Sequence, residues 1–114
     1  MKVKSEKGVG HWLIQRITAV LLIPLSLWAA AVFLAYITAP YSAAQIWLSS
    51  PYIKSAVIVF TVLMFYHGYL GIQVILEDYV PNEKTRTYLI YFTRLFSFFM
   101  TVLAIISIIQ IQLS

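Results

Sequence analysis

Apolar positions fall in three long blocks, continuous and not alternating. "ITAVLLIPLSLWAAAVFLAYITA" covers 17–39, "SAVIVFTVLMFYHGYLGIQVIL" covers 55–76, and "LFSFFMTVLAIISIIQIQLS" covers 95–114 and extends back toward Tyr88. Within 17–39, 55–76 and 95–114 there is no Asp, Glu, Lys or Arg. Each reaches the length of about 20 apolar residues that spans a bilayer. In hydrocarbon a backbone must satisfy its own hydrogen bonds, so the blocks are helices. Strands of a lipid-facing barrel would need a polar partner at every second residue, and none occurs. The pattern predicts an all-α integral membrane protein with three transmembrane helices, near residues 13–39, 53–78 and 88–112.

The polar punctuation predicts the links. Pro40 and Pro51 bracket the uncharged "PYSAAQIWLSSPY", whose Tyr41, Trp47 and Tyr52 suit a membrane–water interface and a short interfacial helix over 40–52. The second link, 79–87, is polar and ends the second span. Pro24 removes a backbone donor inside the first helix and is a candidate kink.

Composition agrees with this pattern. The chain of 114 residues is 61% hydrophobic and 11% charged, against about 25% charged in a soluble domain. So small a fold could not bury that much apolar surface from water. The absence of cysteine excludes disulfides, thiolate metal sites and thiol nucleophiles. The first apolar block is too long for a signal core and ends in aromatics, so all 114 residues read as one mature domain. There is no internal repeat.

The net charge of +4 is dispersed, which excludes a nucleic-acid patch. Lys2, Lys4, Lys7 and Arg16 precede the first span, and Lys84, Arg86 and Arg94 follow the second. The first link has only Lys54, at its far edge. The bias puts the N-terminus and the second link inside and the C-terminus outside. Three helices make a thin bundle, so packing alone implies a partner membrane subunit.

The second span carries the candidate chemistry. His67 lies deep in it, nearer the inner end, and an ionisable residue at that depth is a functional-site hypothesis by default. A neutral imidazole hydrogen-bonded to a neighbouring helix is the simpler alternative. Gly68 adjoins it, and Gly71 lies about 40° from it on the helix. Bare glycine beside histidine leaves a flat surface that a planar macrocycle can approach; small residues at this spacing also make close helix contacts. One His cannot hold a bare metal ion, since zinc takes three or four ligands, but haem iron brings four nitrogens of its own.

Asp78 follows His67 by eleven residues, a rotation of about 20° beyond whole turns and a rise of roughly 16 Å. If the helix runs that far, both share a face, with Asp78 and Tyr79 at the inner interface. A phenol there can donate to a carbonyl oxygen, with an acid to orient it. "EDYVPNEKTR" can equally be a solvated turn, and that reading is preferred for Glu77. Arg16 counts first toward topology and second as a partner for an anionic group, with His11 and Trp12 beside it at the surface.

"GHWLIQRITA", a deep "HGYLG" and "EDY" in this order resemble the small hydrophobic membrane-anchor subunit of succinate dehydrogenase, respiratory complex II, of the cytochrome b type. The resemblance runs from about Gly8 to the end of the third helix. It implies a helical heterodimer with a larger cytochrome b anchor subunit, a flavoprotein and an iron–sulfur protein docked on the inner face, and electrons passing from succinate to ubiquinone. It implies haem b with His67 as one axial ligand, Gly68 and Gly71 on the haem-facing surface, and Arg16 near a haem propionate and the quinone. Tyr79 matches the quinone-binding tyrosine and Asp78 its adjoining acid. His11, Trp12 and Glu77 receive no role. The chain is then non-catalytic alone, in a bacterial inner membrane, or a mitochondrial one if organelle-encoded. A fumarate reductase anchor, a haem-less complex II anchor in which His67 only packs, and a non-redox membrane scaffold are the alternatives.

Overall fold

Four helices follow in chain order: α1 (Lys2–Tyr36), α2 (Tyr41–Leu48), α3 (Pro51–Tyr79) and α4 (Glu83–Gln110). The computed structural model describes the backbone of residues 2–111 and the side chains of residues 9–111. The side chains of Lys2, Lys4 and Lys7, and residues 112–114 of the third span, lie outside the described residues.

Val9–Tyr36, Pro51–Tyr79 and Glu83–Gln110 are the membrane spans, of 28, 29 and 28 residues. At about 1.5 Å per residue each is roughly 42 Å long. That exceeds a hydrocarbon core of about 30 Å, so the helix ends stand among headgroups. Three crossings leave the start of α1 and the end of α4 on opposite sides.

The helix limits differ from those expected, and local chemistry explains why. α1 begins well before residue 13, because residues 2–12 contain no proline and several good helix formers. It continues through Pro24 as one helix and stops at Tyr36, short of residue 39. Pro40 disfavours helical backbone at Ala39, whose N–H closes a turn onto the Tyr36 carbonyl at 3.0 Å.

The second link contracts from 79–87 to Val80–Asn82. Asn82 takes the N-cap position, its side chain accepting from the Thr85 N–H at 3.0 Å, with Glu83 in the first turn at the positive end of the helix dipole. The charged residues read as a loop therefore form the first two turns of α4. In the first link, α2 lays Trp47 against Trp28 and Tyr36, with ring centroids 5.8 and 5.6 Å apart.

α3 is central: it packs against α4 most extensively, against α1 less so, and touches α2. Burial is sparse. Among the described residues Thr18, Thr61, Tyr69 and Leu70 are buried, and many large apolar side chains face outward. Two cations tie α3 to α4. The Arg94 Nε donates to the Tyr69 hydroxyl at 2.9 Å, and its guanidinium lies 5.7 Å from the Tyr69 ring. At the other end Lys54 Nζ donates to the Ile109 carbonyl at 3.3 Å, in the last turn of α4, where carbonyls lack helical partners. Lys54, the exception to the charge bias, thus caps a helix end.

The Asn82 cap is testable. Asn82→Ala is expected to weaken the first turn of α4 by about 1 kcal/mol, seen as faster hydrogen exchange at the Thr85 amide, and Asn82→Asp to restore protection.

Candidate functional site

Antiparallel packing brings one polar face of α1 against one face of α3. Thr18 Oγ1 and His67 Nδ1 lie 2.9 Å apart. One turn toward the start of α1, Gln15 stands over Gly71, where a Cβ built on the glycine would lie 3.9 Å from the Gln15 side-chain nitrogen. Thr18 is buried, and its hydroxyl also reaches the carbonyls of Ile14 at 2.9 Å and Gln15 at 3.0 Å.

His67 is half-buried. Only Nδ1 is engaged: among the described residues Nε2 has no hydrogen-bond partner, and it is not enclosed. The imidazole is thus held at Nδ1, while Nε2 is neither bonded nor fully buried within the described residues. Gly68 is exposed, and a Cβ there would meet nothing within 4 Å. The two glycines therefore differ. Gly68 opens outward beside the histidine, whereas Gly71 faces α1 and lies under Gln15.

α3 runs to Tyr79, so Asp78 lies on the same continuous helix as His67, three turns away. Glu77, Asp78 and Tyr79 are exposed, Tyr79 at 80%. Two acids in the last turn sit at the negative end of the helix dipole with no basic residue beside them in that turn. Each such placement costs about 0.3–1 kcal/mol. Arg86, which donates to the Val80 carbonyl at 3.2 Å, brings one cation to this helix end.

Arg16 is exposed and stacks on Trp12, its guanidinium 5.7 Å from the ring centroid. Two residues from Thr18, it points about 160° away from the face that meets α3. Within this chain Arg16, Asp78 and Tyr79 are not joined to His67, and they open outward. His11 does not lie at the surface as expected. It faces inward, its Nε2 buried without a partner, and with Gln73, Tyr69, Arg94 and Ser97 it lines a crevice of about 530 Å³ between α1, α3 and α4.

Thr18, Gln15 and the inward-facing His11 were not singled out by the expected chemistry. The signal for them was their spacing: 11, 15 and 18 follow i, i+4 and i+7, one stripe of a helix. Tyr69 and Arg94 had no signal beyond charge and aromaticity.

Among the described residues no three His, Cys, Asp or Glu gather to hold a metal ion. The donor set instead suits a group that brings most of its own ligands.

Residues 1–106 match the family described as succinate dehydrogenase/fumarate reductase transmembrane subunit. The chain is 35% identical over 104 residues to the succinate dehydrogenase hydrophobic membrane anchor subunit of Rickettsia bellii, covering 91% of this chain and 83% of the relative. The Rickettsia conorii protein of the same name is 32% identical over 93 residues, 81% of this chain and 74% of the relative. The succinate dehydrogenase membrane anchor subunit of Reclinomonas americana is 30% identical over 97 residues, 81% and 79%. No solved structure matches significantly. The three spans make this an integral membrane protein, consistent with a bacterial inner membrane as for the Rickettsia relatives. The chain belongs to the succinate dehydrogenase/fumarate reductase transmembrane subunit family, as a hydrophobic membrane-anchor subunit.

Proposed function

We infer that this chain anchors a succinate:quinone oxidoreductase, supplies one axial ligand to a haem b at its interface with a larger membrane subunit, and forms part of a ubiquinone site. The observation that carries the reading is the two-sided environment of His67, whose Nδ1 lies at hydrogen-bond distance from Thr18 while Nε2 has no partner among the described residues, next to an unobstructed Gly68. A histidine that only packed between helices would have no need of a bare, open edge. The haem, held between His67 and a histidine of the larger subunit, would supply electron exchange without an open iron position.

The chain's own residues divide the work. Gly68 leaves the approach to the His67 edge unobstructed, and Gly71 with Gln15 closes the α1 side. Arg16, facing away from α3, offers its guanidinium to an anionic carboxylate or the quinone on a partner's side. The Tyr79 phenol donates a hydrogen bond to a quinone carbonyl, and Asp78 orients it. The acids of the last α3 turn work against the helix dipole, a local cost typical of residues kept for function. The inner side is that of Arg86 and Lys84, opposite Lys54. The flavoprotein and the iron–sulfur subunit dock there. The outward apolar side chains of the spans meet lipid and the larger subunit.

Three outcomes test the reading in the assembled complex. His67→Ala is expected to abolish the b-type α-band of the dithionite-reduced complex; an unchanged band removes the ligation. Gly68→Leu is expected to leave the chain folded, because nothing within 4 Å of the added Cβ obstructs it, but to lower the haem-to-protein ratio; a full ratio separates Gly68 from the haem. Tyr79→Phe is expected to slow quinone reduction about tenfold, the equivalent of one lost hydrogen bond of about 1.4 kcal/mol, with succinate oxidation by an artificial dye intact. Normal quinone turnover in that variant counts against Tyr79.

A further inference from the structure

We propose that Thr18 is a positioning residue for His67: it fixes the proton on Nδ1 and leaves the Nε2 lone pair pointing outward as the donor to iron. This deepens the ligation reading and rests on it.

The argument is one of proton counting. Thr18 Oγ1 lies within hydrogen-bond distance of three groups: His67 Nδ1 at 2.9 Å, the Ile14 carbonyl at 2.9 Å and the Gln15 carbonyl at 3.0 Å. A hydroxyl has one proton to give and two lone pairs with which to accept. Carbonyls can only accept. In one arrangement the hydroxyl donates to a carbonyl of its own helix and accepts from Nδ1–H, so both donors are satisfied. In the other it donates to a bare Nδ1, and the ring proton moves to Nε2. That N–H has no acceptor among the described residues, in a span whose surroundings are apolar. An unpaired donor there bears the full desolvation penalty. The first arrangement makes two hydrogen bonds and leaves only the Nε2 lone pair unpartnered, the position a metal would fill; the second makes one and strands a donor N–H. The first is therefore the resting tautomer, and it is the one that can ligate through Nε2.

The relay Nδ1–H···Oγ1–H···O=C ends on a helix backbone, which is among the most rigid acceptors a membrane protein offers. It fixes the plane of the imidazole as well as its tautomer. The burial of Thr18 excludes competing water. Outer partners of metal-ligating histidines act in this way, and their loss typically lowers metal affinity about 10–100-fold.

The test compares Thr18→Val, which keeps the branched shape and removes the hydroxyl, with Thr18→Ser, which keeps the hydroxyl, in the assembled complex. Nitrogen-15 spectra of histidine-labelled, haem-depleted complex are expected to show the His67 proton on Nδ1 in the unmodified protein and in Thr18→Ser, and a tautomer mixture in Thr18→Val. Haem titration is expected to give an affinity about 10–100-fold lower in Thr18→Val and near-normal in Thr18→Ser. A proton found on Nε2 in the unmodified protein overturns the proposal. So does a haem affinity in Thr18→Val equal to the unmodified value. If His67→Ala abolishes the band while Thr18→Val binds haem normally, the positioning role alone falls. If the band survives His67→Ala, ligation falls and this role falls with it.

Discussion

A helix in hydrocarbon has no water to satisfy its side-chain donors, and that constraint organises the polar chemistry of this chain. Most of the hydroxyls silence themselves. Ser55 donates to the Pro51 carbonyl, Thr61 to Val57, Thr93 to Leu89, Thr101 to Ser97 and Ser107 to Leu103, each one turn back on its own helix. Such a bond removes the need for a partner and also removes any use beyond the helix. Thr18 makes the same backward bond but spends its remaining lone pair on His67. Among the Ser and Thr hydroxyls of the described residues, the one that reaches across helices is therefore the one that meets the deep histidine.

The division between α1, α3 and α4 follows from how each is fastened. α3 and α4 are joined toward one end of the bundle by Arg94 and Tyr69 and at the other by Lys54 and the Ile109 carbonyl. α1 joins α3 through Thr18 and His67 alone among side-chain hydrogen bonds of the described residues. That contact is therefore buried at Thr18, whereas Arg16 and Tyr79 are left facing outward.

Much of the fold could be read from hydropathy, because three uncharged blocks of bilayer length admit few other structures. The helix ends could not. Charge argued for a loop after Tyr79, yet Asn82 followed by Glu83 is a helix start, and the capping bond outweighs the polarity of the residues behind it. His67 was legible, since an ionisable group at depth stands out against apolar neighbours. Its partner was not, because a threonine among leucines and isoleucines is ordinary in such helices. Only the spacing of His11, Gln15 and Thr18 distinguishes that face of α1, and the register that sets Thr18 opposite His67 depends on antiparallel packing. Arg94 was legible as a topological charge; its role as a tether needed the geometry of Tyr69.

Pro24 separates two anchored parts of α1. On one side the helix is held at Thr18; on the other it is held through Trp28 and Tyr36, both against Trp47 of α2. A proline gives no N–H to the carbonyl four residues earlier, so the Val20 carbonyl has no helical donor at this point. The rod is thereby weakest in bending between its two fixings. A bend at that point would let the aromatic cluster at α2 shift without carrying the Thr18–His67 contact with it.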